Sequence, residues 1–155
     1  MSVAFRRESD EEHKEPRFEI PIPAGPNLVT TRGLSLTEAQ VAEFETLVAG
    51  ETDEAKLEDA RRHLRYWRTR LATAELQPPA SGEQVAFGTR VTLRRKERER
   101  TVDIVGDDEA DPKAGSISFS SPLARAIMGA EPGDVADFNG EQDAIEIVSI
   151  VPLAD

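Results

Sequence analysis

The side chains able to do chemistry in this 155-residue chain are carboxylates and guanidiniums. Cysteine is absent, and His13 and His63 are the only imidazoles. Disulfides, thiolate catalysis and Cys-based zinc sites are therefore excluded, and no nucleophile–base–orienter set can be assembled. Walker and Gly-x-Gly-x-x-Gly patterns are also missing. Three acids, Glu51, Asp53 and Glu54, crowd into the stretch Gly50-Glu51-Thr52-Asp53-Glu54. Carboxylates favour a helix N-terminus for dipole reasons alone. The sharper reading is that a projecting element presents hard oxygen ligands to a magnesium ion held by another protein. A second cluster, Asp107-Asp108-Glu109-Asp111, lacks the ligand spacing of a calcium loop, so it reads as solvated or amide-capping acids. Arginines recur at Arg61, Arg62, Arg65, Arg68 and Arg70. They form either a solvated helix face or a basic stripe that meets an acidic partner or nucleic acid.

Charge and composition bound the rest. Nineteen Lys+Arg against 30 Asp+Glu give a net charge of −11, which argues against a general nucleic-acid coat. Residues 101–155 carry twelve acids opposed only by Lys113 and Arg125. Apolar residues make up 38% and aromatics 5%, so the core is small and a two-part molecule is expected. No apolar run approaches the ~20 residues needed to cross a bilayer. The N-terminal stretch has no apolar signal-peptide core, so a cytoplasmic protein without membrane association is expected.

The elements that position these residues follow from periodicity. Residues 1–28 are charged, then proline-rich, and read as a flexible tail, with Phe18 to Ile22 able to add to a sheet edge. Residues 29–77 read as a helical hairpin. Its first helix runs from Leu34 to Ala49, capped by Ser35 or Thr37, and stops at Gly50 in a left-handed conformation. Thr52 caps the second helix, whose apolar positions Leu57, Ala60, Leu64, Trp67, Leu71 and Ala74 step 3, 4, 3, 4, 3 as a heptad seam. His63 flanks that seam as a surface residue. Residues 78–82 form a Pro/Ser/Gly linker. From residue 83 to 155 the period changes to two. A β-hairpin turns at Arg94-Arg95-Lys96-Glu97-Arg98-Glu99-Arg100, and a short strand follows at Ser116–Phe119. A Ser121-Pro122 start opens one short helix, and Asn139-Gly140 marks a second hairpin. The fold class is α+β: an N-terminal antiparallel helical hairpin, a short coiled coil, followed by a β-rich domain with one short helix.

In that second half the residues become specific. Ile104-Val105-Gly106, Glu109-Ala110-Asp111, Ile117-Ser118, Ser121-Pro122, Ala124-Arg125-Ala126, Gly129 and Gly133-Asp134 resemble the C-terminal domain of the bacterial Gre transcript-cleavage factors. Thr31-Arg32-Gly33 resembles the start of that family's first helix, so the likeness covers about residues 29–152. The resemblance implies an FKBP-like β domain docked on the rim of the secondary channel of RNA polymerase, with the hairpin inserted. Asp111, Ser121, Pro122 and Arg125 would contact the polymerase. Arg61, Arg62, Arg65 and Arg68 would face the channel or the RNA. The family tip carries catalytic acids, for which Glu51 and Glu54 would stand, but its Asn-Ala-Glu-Tyr continuation is replaced by Ala55-Lys56-Leu57-Glu58.

A 16-residue first helix, ~24 Å long, would be about two heptads short of the family's arms, a loss of roughly 20 Å of reach. That is reminiscent of the Rnk-type branch. The implied function is a monomeric regulator of transcription elongation, with DNA-binding terms attached to the family because it acts on transcribing complexes. It would not itself be an enzyme, having weak or no cleavage and at most stimulating the polymerase's own. It would hold no intrinsic metal or cofactor, the Mg2+ being the polymerase's. The alternative is an active cleavage factor working through Glu51 and Glu54. A more remote one is a peptidyl-prolyl isomerase or chaperone, suggested by the FKBP-like fold alone.

Overall fold

Thr30 starts the first long helix. Its backbone is extended and its hydroxyl accepts from the Gly33 amide at 2.9 Å, so the helix begins three to four residues earlier than the apolar pattern indicates. Helix α1 spans Thr31–Gly50 and helix α2 spans Glu54–Thr73, each 20 residues or ~30 Å. Thr37, expected as a cap, lies buried one turn inside α1 and donates to the Gly33 carbonyl. Gly50 is not left-handed. It is the last helical residue, and the chain leaves at Glu51 in extended backbone whose amide bonds to the Leu47 carbonyl. The cap of α2 is Asp53 rather than Thr52, because the Asp53 carboxylate reaches the Lys56 amide at 3.0 Å.

The computed structural model describes residues 19–154. Most of the expected tail, residues 1–18, lies outside the described residues. Glu19 to Ile22 form no strand, and Glu19 instead accepts two hydrogen bonds from Arg65 on α2. Two short strands frame the base of the hairpin: β1 (Leu28–Val29) before α1 and β2 (Glu75–Leu76) after α2, paired in parallel. Parallel pairing is possible because the whole helical hairpin serves as the crossover.

Beyond the Pro-rich stretch lie β3 (Thr89–Arg95), β4 (Arg98–Val105), a 3-10 turn (Pro112–Ala114) and β5 (Ser116–Ser118). Helix α3 (Pro122–Ile127), β6 (Val135–Phe138) and β7 (Glu141–Pro152) follow. The five longer strands form one mixed sheet in the order β5-β4-β3-β7-β6. Its inner face and α3 enclose the main core, including Val91, Leu93, Val102, Ile104, Ile127, Ile145 and Ile147. Both tight turns use positive φ, Asn139-Gly140 as their sequence demands and Lys96-Glu97 without a glycine. The α+β architecture expected from periodicity is thus the architecture observed. Among the described residues no helix is long and apolar enough to cross a membrane.

The hairpin's own core is thin. Only Ala60 and Leu64 of the seam are buried, while Leu57, Trp67 and Leu71 are half-buried and Leu47 is exposed. His63 is not a bare surface residue: its ring stacks on Phe44 at 5.0 Å between centroids.

Gly106, just past β4, is where the backbones of the two parts come close together. A Cβ there would lie 2.3 Å from the Leu28 carbonyl oxygen. Gly106→Ala is expected to lower unfolding free energy by about 1–3 kcal/mol, because backbone must move to admit the methyl. Gly50→Ala, with open space and helical backbone, is expected to raise it by about 0.5–1 kcal/mol. Urea unfolding of both variants checks the pair, and equal effects would contradict the close approach at Gly106.

Candidate functional site

Three groups of residues were singled out by the sequence, and the structure treats each differently. At the hairpin tip, the Glu51 carboxylate accepts from the amides of Thr52 and Asp53 at 3.1 and 2.9 Å. Asp53 is engaged at the Lys56 amide. Two of the three tip acids therefore satisfy the first amides of the turn and of α2. Glu54 alone is exposed without a hydrogen bond or ion pair among the described residues. Among the described residues no group of three or more His, Asp or Glu is placed to hold a metal ion.

The arginine series of α2 does not form a uniform stripe. Arg65 pairs with Glu19 at 2.7 Å, Arg68 with Glu45 of α1 at 3.0 Å, and Arg62 with Asp59 at 2.9 Å. Arg61 is exposed and has no ion pair among the described residues. Arg70 is not on the surface at all: only 2% of it is accessible.

Arg70 belongs instead to a site that sequence reasoning missed, where the hairpin base meets the acidic loop. Tyr66, Arg70 and Thr73 fall on one face of α2 by helical spacing, off the seam. The Arg70 Nε donates to Asp108 Oδ2 at 2.6 Å, and its Nη2 donates to Asn27 Oδ1 at 2.7 Å. Asn27 in turn donates to the Arg70 carbonyl at 2.8 Å and to the Thr73 hydroxyl at 3.2 Å. The Tyr66 hydroxyl donates to the other oxygen of Asp108. One residue further on, Glu109 accepts from the Thr30 hydroxyl at 2.6 Å and pairs with Arg32 at 3.3 Å. Asp107 accepts from Ser118 and Ser120, tying the same loop to the turn before α3. Asp107, Asp108 and Glu109 of the acidic cluster therefore form a joint, while Asp111 stays exposed. Its sequence signal was present in the Tyr-x-x-x-Arg spacing and in an acidic run at a strand end, but the two lie 38 residues apart.

The residues read as polymerase contacts are split between two places. Ser121 caps α3 by accepting from Ala124, and Pro122 and Arg125 stand exposed on its outer surface. Asp111 is exposed in the preceding loop, where its amide bonds to the Ser116 carbonyl.

The fold and joint define an α+β protein in which a helical hairpin is fixed to the edge of a β domain. Residues 79–152 match the family model described as "Transcription elongation factor, GreA/GreB, C-term". Over 74 residues the chain is 49% identical to the transcription elongation factor GreA of Rhizobium etli (strain CIAT 652), covering 45% of this chain and 47% of that protein. The GreA of Phenylobacterium zucineum (strain HLK1) is 50% identical over a stretch of the same length. The matched region spans about half the length of these curated relatives. Gfh1, the GreA factor homolog 1 of Thermus thermophilus, aligns over 82% of this chain and 99% of its own at 20% identity, with a TM-score of 0.39. Over its β domain, then, just under half of its length, this chain is similar to the GreA/GreB family.

Burial first, and the hydrogen bond to Asp108 second, push the Tyr66 phenol above its ordinary value of 10.0. A group whose folded pKa is raised contributes stability below its unfolded pKa and loses it as pH rises through the folded one. Stability is therefore expected to fall above about pH 10 as the phenol ionises. Tyr66 is the only tyrosine, so phenolate absorbance reports it directly. The expected midpoint lies above that of a free phenol and moves down in Asp108→Asn, and a midpoint at the ordinary value would refute the contact. Arg70→Met, which leaves the half-buried Asp108 without its cation, is expected to cost about 3 kcal/mol in chemical denaturation. The Arg70→Met/Asp108→Leu double variant should recover part of that loss.

Proposed function

We propose that this chain is a transcription elongation regulator of the Gre type. The β domain docks on the rim of the secondary channel of RNA polymerase, and the hairpin projects into it. The match of residues 79–152 to the GreA/GreB family model supports the partner, and the fixed joint supports a hairpin presented as a rod. Asp111, Ser121, Pro122 and Arg125 are the proposed rim contacts, Pro122 and Arg125 being exposed on α3.

The observation that carries the finer reading is the state of the tip. Glu51 and Asp53 are occupied with backbone amides, which leaves Glu54 as the one tip acid free to approach a metal. A shared-metal phosphodiester hydrolysis needs carboxylates aimed at the ion and at its water. The tip therefore acts by occupying the channel, with weak or no stimulation of RNA cleavage. Helix α1 is longer than the apolar pattern indicated by four residues, about 6 Å, which recovers part of the expected loss of reach. Its freedom and this added reach make Glu54 the centre of the alternative, an active cleavage factor. In neither case does the chain supply the magnesium; the polymerase does.

The test is RNA 3′-end cleavage in backtracked complexes of the cognate polymerase, beside the Glu51→Gln/Glu54→Gln variant. The expected outcome is no more than a few-fold stimulation, unchanged in the variant, together with competition against a bona fide cleavage factor. Strong stimulation lost in the variant would establish the alternative. Absence of both cleavage and competition would remove the polymerase assignment. Arg125→Glu is expected to weaken competition at least tenfold.

A further inference from the structure

The sheet's arginines divide by face. On the solvent face of the β3–β4 hairpin every one has an acid: Arg90 pairs with Asp103 at 2.7 Å, and Arg94 with Glu99 at 2.9 Å and Glu146 at 2.8 Å. Thr92 and Thr101 sit between these pairs, so that face is a row of compensated cross-strand partners. The other face carries Leu93 in the core and then, where the core runs out, Arg95 of β3 with Arg98 and Arg100 of β4. The register puts Arg95 directly opposite Arg98, and Leu93 opposite Arg100. Directly opposed residues share a face, so the three arginines point the same way. None has an ion pair with a carboxylate among the described residues. Lys96 adds a fourth cation, exposed at the turn.

Two features mark this row as more than solvated charge. Like charges facing each other across a ladder destabilise it, and here Arg95 and Arg98 face each other at the closing position of a two-residue turn. The Arg95 guanidinium lies over the Phe138 ring, 5.0 Å from its centre, and its Nε is buried without a hydrogen-bond partner. The ring holds the cation in place and offers no acceptor to the buried N–H. A bound anion would screen the opposed pair. In a chain of net charge −11, four local cations uncompensated by their neighbours are a specific exception to the overall repulsion of polyanions.

We propose that Arg95, Arg98 and Arg100, with Lys96, form a binding surface for the phosphate backbone of single-stranded nucleic acid. Arg98 and Arg100 are two residues apart on an extended strand, ~7 Å along it, and both are exposed. Guanidiniums bind phosphate oxygens through paired N–H groups. A regularly charged, flexible backbone needs only such a spaced row of cations. An acidic protein partner would be expected to add an apolar anchor at the centre of its interface. The Phe138 ring, fixed beneath Arg95, gives the row its one rigid point. This surface is independent of the hairpin tip and of the α3 contacts proposed for the polymerase.

The test is fluorescence anisotropy of a short labelled oligouridylate with the full chain at low salt. Binding is expected to be sequence-tolerant and to weaken with salt, with a log–log slope of about −2 for three single-strand phosphate contacts. Arg98→Ala/Arg100→Ala is expected to weaken it at least tenfold and to flatten the slope. Arg90→Ala makes a unit charge change on the opposite face of the same hairpin and should change binding by less than twofold. Circular dichroism confirms that each variant folds. No binding at low salt would overturn the proposal, as would equal losses in the two variants. Displacement of the RNA by equimolar polyglutamate would also overturn it, because the surface would then be an acidic-peptide site.

Discussion

A guanidinium buried to 2% exposure sets the terms for much of this structure. Taking Arg70 out of water is tolerable only if its charge is matched and its donors are used. Asp108 supplies the charge and Asn27 supplies a neutral acceptor, so one side chain holds together the acidic loop, the segment before α1 and the last turn of α2. Those partners come from widely separated parts of the sequence. Their convergence brings β1 beside β2, and β1 close enough to β4 that Gly106 has no room for a Cβ. The short parallel pair, too small to persist on its own, exists because the ionic joint brings its strands together.

The hairpin above the joint is a weakly cored object. Ala60 and Leu64 are the only buried apolar residues of its seam. Its helices must therefore draw on their ends, as helices of this length do when packing is thin. Thr30 and Asp53 cap the two N-termini, Glu51 satisfies amides in the turn, and Arg68–Glu45 bridges the helices near the middle. The tip acids are part of that economy of backbone groups. A carboxylate that accepts two amides is held in an orientation chosen by the turn, which is a different requirement from aiming it at a metal.

What was legible in the sequence was whatever depends on neighbours in the chain. Alternation placed the strands, Ser121-Pro122 placed α3 with its cap, and Asn139-Gly140 placed a turn that has positive φ at both residues. The family motif in the β domain was readable for the same reason, being a dense local pattern. The start of α1 was misplaced because Thr31, Arg32 and Gly33 carry no apolar period. They are helical through the Thr30 cap and the contact with Glu109. β1 and β2 have two residues each, below the length at which a period exists. Arg70 looked like its neighbours because burial is decided by Asp108, 38 residues away. Arg65 was read as part of a free stripe, yet its partner Glu19 sits in a segment with no periodicity of its own. Long-range ionic contacts leave no local trace, and the candidate sites were misjudged wherever such contacts decided them.

Rigidity at the joint has a geometric consequence. A rod of ~30 Å amplifies any tilt at its base, so a rotation of about ten degrees would displace the tip by roughly 5 Å. That distance exceeds the tolerance of any direct contact at the tip, whether with a metal or with a channel wall. A hairpin hinged on a flexible linker would therefore sample many tip positions, and docking of the β domain would fix none of them. Here the connection is made twice, through Arg70–Asp108 on one helix and Thr30–Glu109 on the other. Two anchors on adjacent residues of one loop, gripping the two helices separately, resist rotation as well as bending. Asp107, the next residue of that loop, is bonded to Ser118 and Ser120 just ahead of α3. The exposed face of α3 and the base of the hairpin are thus joined through three consecutive acids, so that the orientation of α3 determines where the tip stands.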